Sequence, residues 1–157
     1  MYSPDKLQLT KENIIFYIAV AGGNKEGVEW ETILPPSRKA IVQHIPVLTQ
    51  EAFYELTKNA FDAMPHGGKI KKEVSITEDS VTISFSDTGV GIPPENLSKV
   101  FQEGFTTKPG GTGKGLVLLK EYFEKVLGGK FEVASEIGKG TTFTITLPLS
   151  KKEEEDN

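Results

Sequence analysis

The sequence predicts an α+β fold in which a mixed sheet is covered by helices on one face, an α/β sandwich. Two observations predict it. Stretches of alternating hydrophobicity come in pairs joined by short turns, and stretches of helical period separate the pairs. No segment of roughly 20 to 50 residues repeats, so the sandwich is one unit rather than an array.

Residues 11–21 read as a helix with Ile14, Ile15, Ile18 and Ala19 on one side, Thr10 as its N-cap and Gly22-Gly23 as its stop. Residues 28–34 alternate, Val28 and Trp30 opposing Glu29 and Glu31, and Pro35-Pro36 ends that strand. Residues 40–45 are a second strand, closed by Pro46. From 47 to 64 the period turns helical, with Leu48, Ala52, Leu56, Ala60 and Ala63 in one apolar stripe that Pro65-His66-Gly67-Gly68 interrupts. Residues 69–77 and 80–86 form a hairpin through the Glu78-Asp79 turn, with Ile70, Val74 and Ile76 in phase on one strand and Val81, Ile83 and Phe85 on the other. Pro93-Pro94-Glu95 opens a short helix to about residue 102. Residues 103–111 have no period and read as a mobile loop. Residues 112–127 are helical, with Leu116, Leu119, Tyr122 or Phe123, and Val126 inward, and Gly128-Gly129 as the cap. Strands 130–135 and 141–147 flank a last glycine turn.

The 157 residues, 37% hydrophobic and 9% aromatic, suit one globular domain. The longest apolar run, 14–21, is far short of the roughly 18 residues of a membrane span, and no secretion signal is evident. The absence of cysteine excludes disulfides and thiolate metal sites and fits a reducing compartment, so a cytoplasmic location is expected. The net charge of −4 argues against nucleic-acid binding. Residues 150–157 read as a solvated, disordered charged tail.

Four features carry chemistry. Glu55 and Asn59 lie one helical turn apart on one face, a spacing that suits Mg²⁺ held by few oxygen ligands and equally suits two surface residues of an amphipathic helix. Asp87 ends an in-phase buried strand, where it either accepts from a base amino group or closes an Asx turn before Gly89. Gly89 and Gly91 follow at once, a pattern found in many loops. The cluster Gly-Thr-Gly-Lys-Gly at 111–115 lacks the order of a Walker loop and follows no strand. It fits a polyphosphate at a helix entrance with Lys108 and Lys114 near it, or a flexible hinge.

Taken together and in order, these clusters resemble the ATP-binding catalytic domain of sensor histidine kinases in the GHKL superfamily, whose architecture is the Bergerat fold. Glu-Leu-Thr-Lys-Asn-Ala-Phe-Asp-Ala-Met from Glu55 resembles the N box, and Asp-Thr-Gly-Val-Gly-Ile from Asp87 the G1 box. Phe-Gln-Glu-Gly-Phe-Thr-Thr-Lys from Phe101 resembles the F box and Gly-Thr-Gly-Lys-Gly-Leu from Gly111 the G2 box. Gly-Lys-Gly-Thr-Thr-Phe-Thr-Ile-Thr-Leu-Pro from Gly138 resembles the terminal glycine motif.

The resemblance implies a mostly antiparallel sheet of about five strands with a mobile ATP lid, and ATP and Mg²⁺ as ligands. It implies that Asn59 holds the metal, that Glu55 assists proton removal, and that Lys58 lies near the phosphates. Asp87 then meets the adenine amino group, with Gly89, Gly91, Ile92 and Thr142 around the base. The lid, running from Phe101 to Gly115, brings Phe105, Thr107, Lys108, Gly111, Thr112, Gly113, Lys114, Gly115 and, just beyond it, Leu116 to the nucleotide. Lys114 stands where leucine is frequent, Gly104 where an aromatic is usual, and Asp62 where several kinases carry a basic residue, which shifts a phosphate contact to Lys58 or Lys114.

Residues 1–24 resemble the lead-in from a dimerisation hairpin, with 25–149 as the catalytic domain. Such kinases phosphorylate a histidine on that hairpin, which is expected to be a separate partner here, with a response regulator downstream. The catalytic half is expected to be monomeric and without direct membrane contact. His44, inside a strand, and His66, in a turn, are expected to be structural or solvent-exposed. A GHKL ATP-binding module, an ATPase, or a kinase of serine or threonine are the competing readings.

Overall fold

The structure, a computed structural model, describes residues 8–37, 39–107 and 113–151. Its elements are β1 (Thr10–Asn13), α1 (Ile14–Val20), β2 (Val28–Ile33), β3 (Ile41–His44), α2 (Pro46–Ala63), β4 (Gly68–Ile76), β5 (Ser80–Asp87), α3 (Pro94–Leu97), α4 (Gly115–Lys120), β6 (Lys130–Glu136) and β7 (Gly140–Pro148). A π-helical segment, Glu121–Val126, continues α4.

The main sheet has five strands in the order β2-β4-β5-β7-β6. β2 runs parallel to β4, and every other neighbouring pair is antiparallel. Side chains alternate across it. Ile70 and Val74 of β4, Val81, Ile83 and Phe85 of β5, Phe143, Ile145 and Leu147 of β7, and Phe131 of β6 are buried on one face. They join Ala52, Phe53, Leu56 and Ala60 of α2 with Leu119, Tyr122 and Phe123 in one core. Burying each large apolar side chain is worth about 1.5–3 kcal/mol. The other face carries Thr82, Ser84 and Ser86 of β5 and Thr142, Thr144 and Thr146 of β7, all partly accessible. The helices therefore cover one face, as the sequence predicts.

Besides α3, which ends at Leu97 and not near residue 102, three features differ from that reading. The first helix starts at Ile14, and residues 10–13 are instead β1, antiparallel to β3 in a separate two-stranded sheet. Asn13, not Thr10, is the cap: its Oδ1 accepts from the Ile15 N–H at 3.2 Å and from the Ala40 N–H at 2.9 Å. That second bond ties the helix start to the residues before β3, a long-range contact that overrides local helix preference. β3 consequently lies outside the main sheet.

The last helix widens at its end, where the Leu127 N–H reaches back five residues to the Tyr122 carbonyl at 3.0 Å. This extra residue rotates the following face, so Tyr122 and Phe123 are both buried and Leu127, not Val126, turns inward. The third difference is Lys72, which takes the inward position between Ile70 and Val74 with 2% exposure. Its Nζ donates to the carbonyls of Ile18, at 2.7 Å, and Ala21 beside the C-terminal end of α1. The same ammonium lies 5.2 Å from the Trp30 ring centroid.

Ile14, Ile15 and Ile18 of α1 belong to the same core as the sheet. Among the described residues no helix is long and apolar enough to cross a membrane.

Candidate active site: a nucleotide-sized cleft

The alternation that buries Phe85 also buries Asp87, two residues on at the end of β5. Its register partner on β7 is Thr141, so the two residues sit side by side on the helix-covered face. Asp87 is 9% exposed. Its Oδ1 accepts from the Gly89 N–H at 2.8 Å, an Asx-type turn, so both functions left open for this aspartate are compatible with its position. Burial pushes the carboxyl pKa up, and the backbone N–H groups of Gly89 and Thr141 partly offset this.

Two glycines permit the backbone approaches around it. At Gly140, φ is +121° and a Cβ would fall 1.9 Å from the Asp87 carbonyl oxygen. At Gly91, φ is +79° and a Cβ would fall 2.3 Å from the Glu136 carbonyl oxygen. The Gly138 N–H donates to the Val90 carbonyl at 3.0 Å. The terminal glycine turn therefore clamps the loop after Asp87, a structural explanation for the two motifs occurring together.

Opposite stands α2. Helical spacing brings Glu55, Lys58, Asn59 and Asp62 to one wall of a cleft of about 540 Å³, with Asp87 and Thr141 also in its lining. Lys58 Nζ lies 3.1 Å from Glu55 Oε1, an ion pair at the rim. The other Glu55 oxygen faces Gly115 at the start of α4, where a Cβ would fall 2.9 Å from it.

Gly91 and Ile92 line the cleft from the G1 side; Phe105, Thr107, Gly113, Gly115 and Leu116 line it from the lid side. The Gly104 N–H donates to the Gly113 carbonyl at 3.2 Å, closing the base of the intervening loop. Gly104 takes a φ of +82°, which replaces the usual aromatic with a left-handed turn. Lys108, Gly111 and Thr112 lie outside the described residues, as does much of the predicted mobile loop.

Not every expected residue reaches the cleft. Gly89 packs behind it, against Ala63 at the end of α2, and Lys114 is exposed outside its lining. Thr142 is a correction. It points to the opposite face of the sheet, where its hydroxyl bonds Ser86 at 2.8 Å. Strand alternation gives the place at the cleft to Thr141 instead. Asn96, Val100 and Phe143 also line it and were missed. Counting by twos from Phe143 would have found Thr141; α3 carries no comparable signal.

His44 is fully buried, and burial lowers its pKa. Its Nδ1 bonds the Thr49 hydroxyl at 2.7 Å, away from the cleft. His66 is exposed in its turn.

Comparison with known proteins shows which proteins the chain resembles. The chain is 38% identical over 111 residues to sporulation kinase E of Bacillus subtilis, covering 70% of this chain and 15% of that protein. It is 30% identical over 160 residues to the sensor histidine kinase WalK of Bacillus subtilis, covering 97% of this chain and 24% of that one. The chain thus spans a quarter or less of these relatives. The nucleotide-free catalytic domain of the histidine kinase ThkA superposes with a TM-score of 0.81 at 25% identity, over 92% of this chain and 99% of that one. Residues 45–151 match the family described as histidine kinase-, DNA gyrase B- and HSP90-like ATPases, and with the cleft lying within that span the chain belongs to this family.

Proposed function

We propose that the chain is the catalytic domain of a two-component sensor histidine kinase, binding Mg·ATP in this cleft and passing the γ-phosphoryl group to a histidine on a dimerisation and phosphoacceptor domain. The observation that carries the reading is the polarity of the cleft. A buried carboxylate, Asp87, lies at its floor, and a polar wall of Glu55, Lys58 and Asn59 lines α2.

Asp87 accepts from the adenine amino group, the donor that guanine lacks at that position. Ile92 and Phe143 supply apolar surface to the base. Asn59 would hold Mg²⁺ through its amide oxygen, a hard donor of the kind that cation takes, with Glu55 one helical turn away on the same wall and left free to accept a proton. Bound there, the cation would neutralise charge building on the phosphates.

The chain's own residues mainly position the nucleotide. Lys58 and the backbone around Gly113 and Gly115 face the phosphates. In the transfer, the bond from the γ-phosphorus to the bridging oxygen of ADP breaks and a bond to an imidazole nitrogen forms. Glu55 takes the proton that the imidazole then sheds. A response regulator would receive the phosphoryl group afterwards, with the domain working in the cytoplasm. β1 and α1 belong to the fold of the catalytic domain, so the lead-in from the dimerisation hairpin would end before residue 10 and not at residue 24.

The test is to incubate the chain with Mg·ATP and a phosphoacceptor hairpin supplied in trans. Acid-labile phosphate on the hairpin histidine is expected. Acid-stable phosphate on serine or threonine, or ADP release without transfer, would replace this reading with another kinase or ATPase activity.

A further inference from the structure

We propose that Ser135, which does not line the cleft, is a positioning residue that sets the hydrogen-bond polarity of Thr141 and thereby the selection of 6-amino over 6-oxo purines. The inference rests on the proposed adenine site and deepens it.

Ser135 Oγ has three partners. The Ile92 N–H donates to it at 2.8 Å, the Gly140 carbonyl lies 2.9 Å away, and the Thr141 hydroxyl lies 2.8 Å away. A serine hydroxyl has one proton and two lone pairs. An amide N–H can only donate, so Ile92 occupies one lone pair. A carbonyl can only accept, so Gly140 takes the proton. The remaining lone pair is satisfied only if Thr141 donates into it.

This has a consequence for the cleft. Thr141 is 6% exposed and lines the cleft beside its register partner Asp87. With its proton committed to Ser135, Thr141 Oγ1 presents lone pairs alone, and the ionised Asp87 carboxylate likewise only accepts. Two adjacent acceptors suit a ligand edge that brings an amino group and repel one that brings a carbonyl oxygen there. A buried polar site rejects a ligand with the wrong donor pattern far more strongly than it rejects a change of size. Ser135 adds a second effect through the Ile92 N–H, which holds the segment after Gly91 against the β6–β7 turn.

Removing the serine hydroxyl frees the Thr141 proton, which can then turn toward a 6-oxo group. The experiment is calorimetric titration of ADP and IDP into the full chain, for wild type, Ser135→Ala, Ser135→Thr, Thr141→Val and the double variant Ser135→Ala/Thr141→Val. Wild type is expected to prefer ADP by about tenfold or more. Ser135→Ala should shrink that preference by about threefold or more, and Ser135→Thr, which keeps a hydroxyl, should restore it. In the Thr141→Val background, Ser135→Ala should leave the ratio unchanged, because the proton it would release is gone.

A purely structural serine predicts equal losses for both nucleotides, and that result would overturn the proposal. Should Ser135→Ala not fold, Thr141→Val alone decides: an unaltered ADP-to-IDP ratio there overturns it as well. Wild type that binds ADP while the ratio ignores Ser135 removes the polarity role only. Wild type that binds neither nucleotide removes the adenine site itself.

Discussion

Asp87 is about nine-tenths buried, and burial holds its carboxyl above its ordinary value of 3.8. A carboxyl whose pKa is higher in the fold than in the unfolded chain binds more protons when folded. Its contribution to stability therefore falls as pH rises from 3.8 through the raised value, and is level above it. Asp87→Asn removes that dependence, so thermal melts from about pH 4 to about pH 7 should show the variant gaining on wild type as pH rises. The same variant is expected to lose roughly ten- to hundredfold in ADP affinity by calorimetry, since a charge-assisted bond is worth about 1.5–3 kcal/mol. Stability and binding moving in opposite directions would mark the aspartate as a site residue and not a structural one. At this scale the sequence was legible wherever spacing was the signal. Glu55 and Asn59 share a helix turn and do share a wall of the cleft. It was illegible where parity decided: Thr141 and Thr142 are chemically alike, and a one-residue shift along a strand reverses the face.

Tyr122 shows what the π-helical segment contributes. Its hydroxyl accepts from the Ile45 N–H at 2.9 Å and reaches the Ile45 carbonyl at 3.1 Å, with Thr49 at 2.8 Å. It thus supplies the entry of α2, whose preceding residue Ile45 makes no side-chain cap. Tyr122→Phe leaves a buried N–H unmatched and should cost about 1–3 kcal/mol in urea unfolding. Lys72 plays a similar part for α1, and Lys72→Met should free the Ile18 and Ala21 carbonyls. The expected result is a loss of about 1–3 kcal/mol and faster hydrogen exchange confined to the 14–21 region, with ADP affinity unchanged. Neither device could be read beforehand. A lysine in a buried register contradicts the usual partition, and its partners are more than fifty positions away along the chain. An extra residue in a helix leaves no mark on composition. β1 was hidden for a related reason: Lys-Glu-Asn suits a helix, and only pairing with β3 makes it extended.

At the scale of the molecule, the floor of the cleft depends on how closely β5 and β7 approach. Gly140→Ala would bring a methyl group within 1.9 Å of the Asp87 carbonyl and impose a side chain on a φ of +121°. Such strain costs of order 1–3 kcal/mol before the clash is counted, so the variant should melt well below wild type and bind no ADP. The layered architecture itself was readable, because paired alternating stretches and helical stretches leave few ways to bury both kinds of apolar surface. The sheet that results is open, and among the described residues its two outer strands have unpaired margins. β2 carries Glu29 and Glu31, the latter 2.6 Å from Lys69, while β6 carries Lys130, Glu132 and Glu136. Charge along both rims makes it unfavourable for a second copy to dock there strand against strand. The domain can thus leave half of its sheet surface wet, lined with hydroxyls, and still resist growing into ribbons when crowded.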